Sequence, residues 1–124
     1  MANLIYKNEA YQIVGACMEV HRILGRGLKE IVYKDALEHE FRLRNIPFVR
    51  EQKFEVIYKD VVLPHSFYAD FVCFGDVILE IKAANGNVEE FYKQTLNYMA
   101  IAKSPLGLLV NFSADSLFYK RMVL

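Results

Sequence analysis

The 124-residue chain carries no net charge, with 15 basic and 15 acidic residues, so it lacks the overall positive charge usual in tight nucleic-acid binders. That counts against avid nonspecific binding and leaves any such contact to local clusters. Two such clusters stand out: Arg22, Arg26 and Lys29, and Arg42, Arg44, Arg50 and Lys53. The first is the better candidate for backbone phosphates, and the second reads as a solvated face with cations at a helix C-terminus. No apolar run approaches the ~20 residues of a membrane-spanning helix. The opening segment Met1 to Glu9 lacks the apolar core and cleavage site of a secretory leader, so a cytoplasmic protein is expected. There are only two cysteines. Cys17 falls on an apolar helical stripe with Ile13, Val14, Met18 and Leu24, and Cys73 falls in an apolar strand, so both read as buried small hydrophobes and no disulfide is expected. His21, His39 and His65 stand far apart without ligand spacing, which argues against a structural zinc site. Repeats and low-complexity tracts are absent.

What the chain does have is apolar patterning, with 54% hydrophobic residues in a length typical of one domain. A helix is expected from about Asn8 to Leu24, a flexible break at Gly25-Arg26-Gly27, and a second helix from Gly27 to about Arg44, ended by Asn45-Ile46-Pro47. A strand near Phe54 to Tyr58 turns at Lys59-Asp60 and returns over Val61 to Leu63, where Pro64 separates it from the next strand. Phe67 to Phe74 and Val77 to Lys82 form a hairpin about Gly75-Asp76. Asn85-Gly86-Asn87 marks the step into a third helix reaching about Lys103, ended by Ser104-Pro105. Two last strands, about Gly107 to Phe112 and Ser116 to Met122, complete a mixed sheet with helices packed on it, an α/β architecture.

The chemistry concentrates in the hairpin. A short loop at Gly75 sets Asp70 and Glu80 opposite each other or one diagonal step apart, and Lys82 shares the face of Glu80 because strand side chains repeat every two residues. Opposed carboxylates repel unless positive charge lies between them. A divalent cation meets that need, since Mg²⁺ is held by one or two carboxylates, waters and substrate phosphate. Lys82 can then orient or deprotonate the attacking water, or stabilise charge on the phosphate. The plainer reading is a same-face Glu80–Lys82 ion pair, but the flanking residues are almost wholly apolar, which does not suit a solvated edge.

Two helices offer matching groups. Glu30 lies at helical spacing from Leu37 and Phe41, on the stripe with Tyr33, and is either an inward acid needing a partner or metal, or an N-terminal acid favoured by the helix dipole. Gln94, beside Tyr98 and Ile101 at the edge of the third helix's stripe, can bind a phosphate oxygen or orient a water, or make a local hydrogen bond.

Taken together, Gly27-x-x-Glu30-x-x-Tyr33, Asp70, Glu80-x-Lys82, Gln94 and Leu106-Gly107-Leu108-Leu109-Val110-Asn111-Phe112 resemble the GxxExxY family of the PD-(D/E)xK nuclease superfamily, over about residues 10 to 123. The resemblance implies a restriction-endonuclease-like α-β-β-β-α-β core with a mixed central sheet flanked by helices. It also implies Mg²⁺ or Mn²⁺ held by Glu30, Asp70 and Glu80, a catalytic Lys82, an auxiliary Gln94, and a nucleic-acid substrate, DNA before RNA. Tyr68 and Phe91 stand where the family commonly has an arginine and a histidine, and Ala69 replaces the proline of the superfamily name.

Three readings compete on this basis. The first is a small metal-dependent nuclease. The second is a nuclease-fold module that binds nucleic acid or protein with little catalysis, motivated by the neutral charge, Tyr68 and Phe91. The third is an assembly module using surface aromatics such as Tyr92, Phe118 and Tyr119. A homodimer is compatible with all three.

Overall fold

A computed structural model describes residues 5–86 and 88–124. Met1 to Leu4, at the segment read for a leader, and Asn87, at the step into the third helix, lie outside the described residues. Two helices come first, α1 (Lys7–Leu24) and α2 (Glu30–Leu43). Three strands follow, β1 (Phe48–Tyr58), β2 (Val61–Cys73) and β3 (Val77–Lys82). Then come α3 (Val88–Ala102), β4 (Leu106–Asn111) and β5 (Phe118–Val123). The expected α-β-β-β-α-β core is therefore α2 to β4, with α1 and β5 added at its ends.

The strands form one sheet in the order β1-β2-β3-β4-β5. Every neighbouring pair is antiparallel except β3 and β4, which run parallel because α3 carries the chain back between them. Those two strands are buried on both faces, which is why they read as unbroken apolar runs. Val77, Leu79 and Ile81 of β3 point to α1 and α2, meeting Ile13, Cys17, Tyr33, Leu37 and Phe41. Ile78 points the other way, to Met99 of α3 and Leu109. Helices thus cover both faces, and the carboxylates of the hairpin lie at the seam between the two cores.

Several boundaries differ from the sequence reading for identifiable reasons. The second helix starts at Glu30, because Gly25 and Gly27 adopt φ of 69° and 95° and Lys29 is its N-cap in extended conformation. β1 begins six residues before Phe54, at Phe48, whose ring packs on Phe41 and Phe71. Pro64 does not separate two strands. β2 runs through it, and the pairing steps from Glu55↔Ser66 to Ile57↔Val62, so Val56 faces Leu63, Pro64 and His65. Proline, which has no N–H to give the ladder, sits within this bulge. Met18, placed on the buried stripe of α1, is 47% exposed, whereas Cys17 and Cys73 are fully buried free thiols. Burial pushes both thiols well above their ordinary range, so they behave as small hydrophobes.

Candidate active site

The β2–β3 hairpin closes through Phe74 and Gly75, both at positive φ, with the Asp76 amide donating to the Cys73 carbonyl. The ladder then runs from Cys73↔Val77 to Phe71↔Leu79 and stops. At the next position, where Asp70 faces Glu80, side chains replace backbone rungs. The Asp70 amide donates to Glu80 Oε2 at 3.0 Å, and the Ile81 amide donates to Asp70 Oδ2 at 2.8 Å. The strands part here, and face alternation in β2 breaks as well. Ala69 joins the core under α3, whereas Phe71 joins the core under α1 and α2. Two carboxylates consequently occupy a fork between separating strands, with Glu80 2% exposed and Asp70 9% exposed. Burial, reinforced by the charge of Asp70, raises the Glu80 pKa, so its carboxyl favours the protonated form.

The positive charge expected between these acids is present on Asp70, and its source is Lys34. The Lys34 ammonium lies 2.7 Å from Asp70 Oδ1, 3.3 Å from Glu51 Oε1 and 3.4 Å from Glu30 Oε1. Burial alone would lower the Lys34 pKa, but Asp70 and Glu51 outweigh it and raise the value, so the ammonium stays charged. Glu30 is brought to the site as expected, although it is a rim acid rather than a buried one. It is also the first residue of α2, where a carboxylate suits the dipole, which matches the second of the two readings of its role.

Gly27 and Tyr33 explain how Glu30 is held. The Tyr33 hydroxyl donates to the Gly25 carbonyl at 2.6 Å and accepts from the Leu28 amide at 3.2 Å. Its ring stacks on Phe112 at 4.4 Å between centroids. The buried tyrosine therefore fastens the α1–α2 turn on which Glu30 sits, and Gly27 supplies the positive φ that the turn requires.

Lys82 ends β3 on the α3 side, with its ammonium 5.2 Å from the centroid of the Phe91 ring and close enough to Glu80 to oppose the rise in its pKa. Phe91 thus props the lysine. Gln94 is exposed, and its amide reaches the Tyr98 hydroxyl only at 3.5 Å. Tyr98 has its own pKa raised by burial and then by Glu80 and Asp70, which places its hydroxyl within the field of the carboxylates. Tyr68 is half-exposed and supplies no cation.

Sequence reasoning missed Lys34, Glu51 and Tyr98. Lys34 had a signal, since it follows Glu30 by one helical turn. Glu51 had none. It adopts φ of 54° inside β1, at the register position facing Asp70, a left-handed conformation that sequence does not announce. Of the first basic cluster, Arg22 pairs with Glu19 and Arg26 with Asp115. In the second, Arg42, Arg44 and Arg50 pair with acids of α2, in keeping with an ordinary solvated face.

A family model for the PD-(D/E)XK nuclease superfamily matches residues 7–122. The chain belongs to that superfamily, and the match spans the splayed β2–β3 fork that holds Asp70 and Glu80. Among solved structures, the crystal structure of SSO0001 is similar in fold, with a TM-score of 0.58 and 18% sequence identity over 95% of this chain. The chain spans 60% of that protein's length. No curated protein matches the sequence.

The superfamily implies a divalent cation. Among the described residues no three acidic, histidine or cysteine side chains stand together as a metal-binding group, and Lys34 bridges Glu30, Glu51 and Asp70. The donor chemistry nevertheless fits a hard ion. Asp70, Glu80 and Glu30 offer only oxygens, and the fork already draws an ammonium to one carboxylate and favours a proton on the other. No helix of the described residues is long and apolar enough to cross a membrane.

Proposed function

We propose that this chain works as one nuclease domain of the GxxExxY type that hydrolyses phosphodiester bonds of nucleic acid, DNA before RNA, with Mg²⁺ or Mn²⁺. The observation that carries this is the cross-bracing of Asp70 and Glu80 in the parted strands, with Lys82 two residues beyond on the same strand. Asp70 Oδ2 and Glu80 Oε2 accept backbone amides, which fixes both carboxylates, so an ion would take Asp70 Oδ1, where the Lys34 ammonium now sits, and the second oxygen of Glu80. Glu30 completes or orients the shell from the helix above. When bound, the divalent ion supplies Lewis-acid polarisation of the phosphate and lowers the pKa of water. Lys82, propped by Phe91, holds and orients the attacking water and offers an ammonium to the phosphate as its charge grows. Gln94, next to Tyr98 on α3, binds a phosphate oxygen from the other wall.

One observation favours a second reading, a nuclease-fold protein that binds nucleic acid or a protein partner with little catalysis: Lys34 already neutralises Asp70. The same experiment separates the two. Mg²⁺ and Mn²⁺ are titrated by calorimetry into the wild type, Asp70→Ala and Glu80→Ala, and the three proteins are then incubated with DNA and RNA. Binding lost in both variants, with metal-dependent cleavage by the wild type alone, supports the nuclease. Retained nucleic-acid binding with neither metal uptake nor cleavage supports the binding module.

A further inference from the structure

We propose that Lys34 is the resident counter-cation of the carboxylate fork and limits its affinity for a divalent ion by competing for Asp70, with Glu51 as the acceptor that keeps the displaced ammonium at the site. This rests on the metal-dependent reading above. Asp70 Oδ2 takes the Ile81 amide at 2.8 Å, so Oδ1 is the oxygen left to meet an ion, and Lys34 occupies it at 2.7 Å. An ammonium and a divalent ion both lose by sharing one carboxylate oxygen, since the two cations repel at close range.

The pairing is unlike a surface ion pair. The Lys34 side chain is 12% exposed, as is that of Asp70, and solvent does little to screen it. Its position is also built from three elements at once. α2 supplies Lys34 and Glu30, β2 supplies Asp70, and β1 supplies Glu51. Glu51 faces Asp70 across β1 and β2, between the pairs Arg50↔Phe71 and Gln52↔Ala69, and holds φ of 54°. A non-glycine residue keeps such a backbone only when its surroundings fix it. Here that backbone accompanies a β1 carboxylate 3.3 Å from the Lys34 ammonium. The ammonium therefore has somewhere to go when Asp70 is taken, and it need not leave the fork.

The test is Mn²⁺ binding, followed by calorimetry and by the magnetic resonance signal of free Mn²⁺, in the wild type, Lys34→Met, Lys34→Arg, Glu51→Gln and the Lys34→Met/Glu51→Gln double variant. Lys34→Met is expected to bind on the order of ten- to a hundredfold tighter than the wild type, the range typical of changes just outside a metal's own ligands. Lys34→Arg, which keeps the charge, is expected to bind no tighter than the wild type. Glu51→Gln is expected to weaken binding in the wild-type background and to have no effect once Lys34 is gone. Should Lys34→Met fail to fold, Lys34→Gln carries the same expectation, with folding checked by circular dichroism. Equal affinity in the wild type and Lys34→Met overturns the competition and leaves the metal site standing. An equal loss from Glu51→Gln in both backgrounds makes Glu51 a ligand and overturns its acceptor role. No Mn²⁺ uptake by either the wild type or Lys34→Met overturns both this proposal and the metal-dependent reading beneath it.

Discussion

Asp70 and Glu80 brace each other through the backbone: the Asp70 amide donates to Glu80, and Asp70 in turn accepts the amide that follows Glu80. Two acidic side chains are thereby held together in a buried seam without a ladder bond between their residues. Ordinary cross-strand carboxylates at this spacing destabilise a sheet. Here the amides satisfy one oxygen of each group, and the remaining electrostatic demand falls on Lys34 and on the proton that Glu80 favours.

That demand predicts a pH dependence. The folded Glu80 pKa is raised, chiefly by burial and then by Asp70, so the native state binds more protons than the unfolded chain above pH ~4.5. Metal-free protein should therefore lose stability as pH climbs from about 4.5 through the raised folded value, and stay level beyond it. The loss from this group is about 1.4 kcal/mol for each unit of the rise. Glu80→Gln, a neutral mimic, should remove that slope and melt above the wild type at pH 8 while abolishing cleavage. Urea titrations of both proteins from pH 5 to 9 measure it, and parallel curves would rule the effect out.

Lys82 separates chemistry from stability. Its ammonium rests on Phe91 and forms no ion pair closer than 4.0 Å with a described carboxylate, so Lys82→Met should cost less than about 1 kcal/mol in folding. Cleavage should fall roughly 10²- to 10⁴-fold, as for loss of a group acting on the proton or charge of the reacting centre. Unchanged turnover with a depressed melting temperature would mark Lys82 as structural instead.

How far the sequence led can be judged at these same residues. The hairpin was legible because Gly75 and two β-branched runs fix its register, and register alone sets Asp70 against Glu80. The α2 stripe was legible from helical spacing, and Tyr33, Leu37 and Phe41 are all buried. Pro64 misled because a bulge accommodates what a regular ladder cannot. The need for a cation was legible, and Lys34 stood one helical turn after Glu30, but its reach to Asp70 was not legible. Lys34 reaches Asp70 only because α2 crosses the sheet at the fork, and Glu51 joins it through a backbone conformation that residue type does not encode.

The turn before α2 gives a further expectation. Tyr33→Phe keeps the ring on Phe112 and removes both hydroxyl bonds, to the Gly25 carbonyl and from the Leu28 amide. The cost should be about 1–2 kcal/mol, since two backbone groups lose a partner but lie near solvent. Glu30 should then be held less firmly, and cleavage should drop several-fold with little change in fold. Wild-type rates and melting in this variant would show that the turn is fastened by other means.

The opposite wall of the site depends on how closely α3 lies on the sheet. Gly107 of β4 pairs with Ile78 beside the fork, and a Cβ placed on it would run into the Met99 sulfur and meet Thr95 Cγ2 at 3.2 Å. Met99 and Thr95 are themselves fully buried, so neither side chain has room to swing away. Gly107→Ala should therefore overpack this layer at a cost of about 1–3 kcal/mol. It should also lift α3, and with it Gln94 and Tyr98, from the carboxylates. Met99→Ala alone should cost about 2–5 kcal/mol by leaving a cavity. In the double variant the added methyl fills part of that cavity, so the combined loss should be smaller than the two losses together. Chemical denaturation of the three variants measures this coupling, and strictly additive losses would mean that Gly107 and Met99 do not share the contact that sets the height of α3.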